Sequence, residues 1–217
     1  MEISVGKKTS LFKGASMHGG IILLSIYLLC ALLILFIFMI SGILDIPYEH
    51  FTAEPAVIYN AHPFLGLASN IGVLMWCAAA AICFFTYASS ENRYSGKESL
   101  FFFCSALLTT LLLFDDFFML HEAIFPWYLG LQEETTYILY GIVVLIYLSY
   151  FRQQLLDSDY VFLAVAFIFL GLSVAADSFL PQYGLAYLVE DSFKLFGIAT
   201  WLFYYAGTSR KHIRRSG

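Results

Sequence analysis

Charge is scarce in this sequence. Asp, Glu, Lys and Arg make up 12% of its 217 residues, about half the share usual in a soluble globular domain, and a mean hydropathy of +0.78 excludes a water-soluble fold. Alternation of apolar and polar residues, the mark of an outer-membrane barrel strand, is absent too. Runs such as GGIILLSIYLLCALLILFIFMI (residues 19–40) are apolar on every side, which predicts helices. No small-residue cleavage site follows the first run, and that run is too long for a signal-peptide core, so an uncleaved first span is expected. The four cysteines, Cys30, Cys77, Cys83 and Cys104, form no CxxC or Cys/His pattern and read as small apolar packing residues.

Several chemistries lack their motif. There is no P-loop, no HExxH zinc helix, no GxSxG elbow, no potassium-filter sequence and no GxGD-type protease motif. Nucleic acid is not an expected partner, because the basic residues are flanks of apolar runs rather than a patch.

What is present is an all-α, polytopic membrane pattern. Apolar runs cover about residues 20–43, 65–87, 99–120, 136–151, 160–176 and 186–206. A helix needs about 20 residues to cross roughly 30 Å of hydrocarbon, so the expectation is one domain, residues 1–217, built as a bundle of six transmembrane helices. The fourth run is short and is extended by starting it near Glu133 and Glu134.

The basic residues fix an orientation. Lys7, Lys8, Lys13, Arg93, Lys97, Arg152, Arg210, Lys211, Arg214 and Arg215, ten of the eleven, fall on one side of this topology, which predicts that both termini are cytoplasmic in a plasma or inner membrane. That side holds ten bases against Glu2, Glu91, Glu98, Asp157 and Asp159, a net of +5. The other side holds eleven acids against one base, a net of −10.

The base out of place is Lys194, in LVEDSFKLFG (residues 188–197). Helical spacing puts Glu190 at i−4 and Asp191 at i−3, so both can pair with its ammonium, and an acid of the third span is a further partner. A lysine four residues after a carboxylate resembles a Schiff-base lysine with its counter-ion. Six spans and the crowd of acids favour a plain ion pair.

The stretch FDDFFMLHE (residues 114–122) poses the functional question, since ionisable groups at membrane depth cost about 2.5–3.5 kcal/mol each on insertion scales. Asp115, Asp116, His121 and Glu122 end the third span, Asp177 ends the fifth, and Glu190, Asp191 and Lys194 begin the sixth, all on the outer side. Asp115 and Glu122, seven apart, share a helix face, Asp116 lies about 100° away, and His121 falls on another face again. The expectation is a metal site of Asp115, Asp116, His121 and Asp177, with Glu122 or Glu190 as general base. Mixed imidazole and carboxylate ligation suits zinc, iron or manganese, with one open position for water. The competing expectation is structural: Asp115 and Asp116 pair with Lys194 and with hydroxyls and lock the bundle. The mix of intramembrane His and Asp is similar, in residue types alone, to the CREST superfamily of membrane hydrolases. That family's paired histidines in a late span are absent, so no residue role is carried over.

His50 and His62, in a loop with Glu49, Glu54 and three prolines, read as surface histidines, and His18 and His212 lie on the cytoplasmic side. Trp127 and Tyr128 read as an interfacial aromatic belt. Gly66, Gly72, Gly141, Gly171 and Gly197 read as close-approach points between helices.

Transport needs polar groups along a whole path. The inner halves of the spans hold few, and VFLAVAFIFLGLS (residues 161–173) holds almost none. The leading expectation is thus an outward-facing acidic pocket acting as a metal-dependent membrane hydrolase on a lipid or small solute. The alternatives are a proton- or cation-coupled transporter or channel, and a non-catalytic sensory or assembly subunit. Membrane lipids are the expected partners, and an oligomer is left open.

Overall fold

The computed structural model describes residues 17–90, 96–179 and 184–216. Lys7, Lys8, Lys13, Arg93, Glu2, Glu91 and Pro181, used above for sidedness and for the last connection, lie outside the described residues. Among the described residues every regular element is helical. The chain divides into two compact units, Met1–Leu65 and Gly66–Gly217.

The first unit contains α1 (Met17–Leu44) and the single-turn helices α2 (Glu49–Thr52) and α3 (Pro55–Ile58). Asp45 takes a left-handed φ of 53° and ends α1. Ser41 Oγ donates to the Ile46 carbonyl at 2.6 Å across that turn.

The second unit contains α4 (Leu67–Ser90), α5 (Gly96–Phe118), a π-helical segment (Leu120–Leu129), α6 (Glu133–Tyr150), α7 (Arg152–Leu156), α8 (Tyr160–Phe179) and α9 (Leu185–Ser216). α5 packs on α4, α4 on α9, and α9 on α8. Small residues set these approaches. A Cβ on Gly197 of α9 would lie 2.8 Å from Leu170 Cγ and 3.1 Å from its backbone nitrogen, and one on Gly72 of α4 would lie 3.0 Å from Ile198. Gly141 and Gly171 differ: a Cβ at either would meet nothing within 4 Å. Those two are therefore not close-approach points, and Gly66 serves its turn with a φ of 68°.

α6 stands apart. Its main backbone contacts among the described residues are with the π segment and α7, and it reaches the other helices through side chains. Tyr147 Oη lies 2.7 Å from Ser105 Oγ of α5 and 3.0 Å from Tyr205 Oη of α9. One turn further along α5, Trp201 Nε1–H donates to Thr109 Oγ1 at 3.0 Å. Trp201 also meets Trp76 edge-on at 5.5 Å and Phe167 at 5.3 Å, which makes it the centre of the core.

Charge separates along this unit. Lys97 at the start of α5 lies over the Tyr150 ring at the end of α6, 5.6 Å from its centroid, and Lys211 of α9 pairs with Asp159 before α8. Arg152 and Arg210 lie at the same basic end. Eight acids, Asp115, Asp116, Glu122, Glu133, Glu134, Asp177, Glu190 and Asp191, gather at the other end, while Glu98, Asp157 and Asp159 stay among the bases.

Four helical stretches are long and apolar enough to cross a membrane: Leu23–Leu44, Leu67–Ser89, Gly96–Phe118 and Tyr160–Phe179. The π segment and α6 pass together as a fifth, bent by 116° at their junction. α9, the helix of the sixth apolar run, falls short on composition although its 32 residues would extend about 48 Å. α9 carries Glu190, Asp191 and Lys194 in its first three turns and Arg210, Lys211 and Arg214 in its last two, which lowers its mean hydropathy.

Candidate functional site

The site follows from a break in the chain. α5 ends where Met119 adopts a left-handed φ of 51°, and the next ten residues wind as a π-helix that closes on Gly130 at φ 64°. A helix start leaves backbone N–H groups unsatisfied. Asp115, still on α5, supplies the acceptor: its Oδ1 takes the backbone N–H of His121 at 3.1 Å. The same carboxylate takes the imidazole, with Asp115 Oδ2 2.6 Å from His121 Nδ1. The helical-wheel expectation that His121 points to a face away from Asp115 is therefore overturned, because α5 stops three residues before His121 and the chain turns back.

Asp115 and His121 are each 7% exposed. Tyr140 Oη of α6 donates to Asp115 Oδ1 at 2.8 Å, so three hydrogen bonds converge on this carboxylate. With the Asp115 carboxylate as acceptor, the shared proton is the Nδ1–H of His121. That leaves Nε2 to take up or release the second one. Glu122 Oε1 lies 3.4 Å from Nε2, and the Tyr137 ring tilts against the imidazole at 5.0 Å.

Asp116, one residue along, serves a different partner. Its Oδ1 lies 2.5 Å from Lys194 Nζ, with the carboxylate side chain 5% exposed and the lysine 26%. Glu190 and Asp191, the intrahelical carboxylates that spacing offered, stand beside a lysine whose salt bridge crosses to α5. Asp116 Oδ2 is buried without a hydrogen-bond partner among the described residues, next to a void of about 10 Å³ beside Ser69 and Gly72. Asp177 of α8 accepts from Tyr137 Oη at 3.0 Å.

These groups line one cavity of about 370 Å³, which contains Asp115, Asp116, His121, Glu122, Asp177, Glu190 and Lys194. Its deeper wall is apolar, with Trp76, Leu112, Val144, Phe167 and Leu170. Glu122, Glu133, Glu134, Asp177 and Glu190 line a neighbouring hollow. Among the described residues no three His, Cys, Asp or Glu side chains are grouped to hold a metal ion. Of the four residues named as ligands, Asp115 and His121 bond to each other, Asp116 to Lys194 and Asp177 to Tyr137. His62 makes only a local contact here, accepting the Phe64 N–H at Nδ1, 3.3 Å away.

Tyr137 and Tyr140 were missed by sequence reasoning. Their signal was a tyrosine stripe at i, i+3 and i+10 along one face of α6, completed by Tyr147, since a phenol facing into a membrane bundle needs a partner.

The whole constellation falls within residues 22–208, which match a family described as a domain of unknown function (DUF8692). The chain belongs to the DUF8692 family. No curated protein and no solved structure matches it.

Proposed function

We propose that this DUF8692 protein is a six-span membrane protein, both termini cytoplasmic, whose cavity is the site of an acid–base hydrolysis of a lipid or small amphiphile near the outer face. α9 is the sixth span in this reading. The clustering of Lys97, Arg152, Arg210 and Lys211 at one end of the second unit supports the orientation.

The observation that carries the hydrolytic reading is the Asp115–His121 pair on the wall of an otherwise apolar cavity. A carboxylate on Nδ1 fixes the imidazole's tautomer and supports the cation that forms when Nε2 takes a proton from water. Tyr140 holds the carboxylate in place, and Glu122 and Glu190 neighbour the space a substrate would occupy. The bond formed is from water oxygen to the acyl or phosphoryl centre, and the bond broken is to the leaving group, which regains the proton from Nε2. We route the proton through His121 itself because Asp115 holds its Nδ1, while Asp116 pairs with Lys194 and Asp177 with Tyr137.

The test is to reconstitute the purified protein with a total lipid extract and follow products by mass spectrometry. Products that appear with wild type and disappear with His121→Ala and Asp115→Ala support the reading. Absence of wild-type turnover, or turnover indifferent to His121, overturns it. A stoichiometric transition metal in the purified protein, lost in Asp177→Ala, would replace this route with the metal-dependent one.

A second reading, proton- or cation-coupled transport, is favoured by the buried Ser105–Tyr147–Tyr205 hydroxyl cluster beneath the cavity, because such a cluster extends polar groups toward the basic end. Ion flux in proteoliposomes, abolished by Tyr147→Phe, would support it.

A further inference from the structure

We infer that the groove between α4 and α9, at the basic end of the second unit, binds one anionic phospholipid, with its phosphate on Arg210 and Arg214 and a chain along the groove. This rests on α9 as a membrane span and not on any chemistry at the acidic cavity.

Two helical stripes build the groove. On α9, Ala206, Ser209, Arg210, Ile213 and Arg214 recur at three- and four-residue spacing and so share one face. On α4 the facing stripe is Ala81, Ile82, Phe85 and Thr86, and between them the two enclose about 520 Å³, within the range of small-ligand sites. Gly72 stands against Ile198 and Trp76 meets Trp201, so α4 and α9 run parallel, and the same register sets Arg210 and Arg214 level with the last two turns of α4. α4 is long and apolar enough to cross a membrane. Ala81 lies nine residues before its last residue, Ser90, so the groove runs about 14 Å inward from that end, roughly half of a hydrocarbon layer. Its depth suits a chain and its mouth a headgroup.

Charge assigns the head. Lys211, between the two arginines in sequence, turns to Asp159. Arg210 and Arg214 are exposed, and neither pairs with a carboxylate among the described residues. Bases suit the C-terminus of any helix, but these two border an apolar groove whose walls include Phe85, 66% exposed, and Ile213, 41% exposed. A basic pocket between membrane helices favours an anionic headgroup, and one phosphate can accept from guanidinium groups a single turn apart.

A second observation lies in the groove wall. Ser209 is 3% exposed, and its Oγ is buried without a hydrogen-bond partner among the described residues. Thr86 and Thr200 satisfy their hydroxyls by donating to the carbonyls of Ile82 and Phe196, four residues back, each at 2.7 Å. Ser209 does not, so an acceptor is wanted where the groove passes, and the ester oxygens of a phospholipid lie between its phosphate and its chains.

The probe is dioleoylphosphatidylglycerol titrated onto the full-length protein in neutral detergent, with dioleoylphosphatidylcholine in parallel and bound lipid counted by native mass spectrometry. One phosphatidylglycerol should bind about tenfold more tightly than phosphatidylcholine, the scale set by two bases near an anionic group. Arg210→Gln with Arg214→Gln should remove that preference. Lys97→Gln with Arg152→Gln, the same charge change at the same end but away from the groove, should leave it intact. Ala81→Trp fills the groove from an exposed position and should weaken phosphatidylglycerol about tenfold, which keeps the test open if the arginine variant fails to fold. Glycerol 3-phosphate, a head without chains, should not compete.

Equal binding of the two lipids overturns the inference, as does tight phosphatidylglycerol binding that survives the arginine or Ala81→Trp variant. A preference lost equally in the Lys97 and Arg152 variant reduces it to general surface charge, and competition by glycerol 3-phosphate makes the site one for soluble phosphate; either result also overturns it. None of these measurements reads turnover, so lipid binding without hydrolysis removes only the hydrolase, and hydrolysis without preferential binding removes only this site.

Discussion

Asp115 grips His121 at two points, the backbone N–H and the imidazole Nδ1, across a break in the helix that carries both. The backbone turn and the orientation of the imidazole thus depend on one carboxylate. Hydrogen bonds to a charged group contribute about 1.5–3 kcal/mol. Asp115→Ala should therefore lower the stability of the purified protein in a detergent melt by about that amount and, under the hydrolytic reading, end turnover. A variant that melts with wild type would mean that the carboxylate is hydrated rather than clamped.

Lys194→Met leaves Asp116 buried with no counter-charge. Removing one member of such a pair costs about 3–5 kcal/mol, whereas Asp116→Asn combined with Lys194→Met should recover most of the loss. The comparison of the three melts is the check, and additive single and double losses would dissolve the pair as an energetic unit.

Two glycines on adjacent helices should respond oppositely to alanine. Gly197→Ala drives a methyl into Leu170, backbone included, at a cost of about 1–3 kcal/mol from overpacking. Gly171→Ala enters open space and gains up to about 1 kcal/mol of helix propensity. Equal effects in chemical unfolding would refute the contrast.

Tyr147→Phe strips the hydroxyl shared by Ser105 and Tyr205. Tyr205 is fully buried, so its own hydroxyl loses a partner at about 1–3 kcal/mol, read as a lower melting temperature. Under the hydrolytic reading turnover persists in this variant, while under the transport reading flux is lost, so paired assays separate the two.

Reporter fusions at Asn60 and at Gln132 should both score external, and fusions after Arg152 and after Arg214 cytoplasmic. A cytoplasmic score at either of the first two would discard the six-span topology.

The convergence of Asp116 and Lys194 was legible because an ion in an apolar run must find its opposite, and few opposites exist. Which helix would supply the opposite was open, since Glu190, Asp191 and an acid of the third span were all admissible by spacing. The Asp115–His121 clamp was not legible. It needs Met119 in a left-handed conformation, which for a residue other than glycine costs about 1–2 kcal/mol and has no local sequence signal. Glycine was ambiguous for another reason: Gly197 and Gly141 look alike in sequence, and only the packed neighbours reveal that one permits contact and the other leaves a gap.

The bond between Asp116 and Lys194 also sets an order of events during synthesis. The two lie 78 positions apart in the chain, and at about 5–20 residues per second the ribosome delivers the lysine roughly 4–16 s after the aspartate. Until then the nascent third span carries a carboxylate whose cation has not been made. A chain stopped anywhere between the two positions leaves Asp116 without its cation, and the addition of α9 is the step that supplies it.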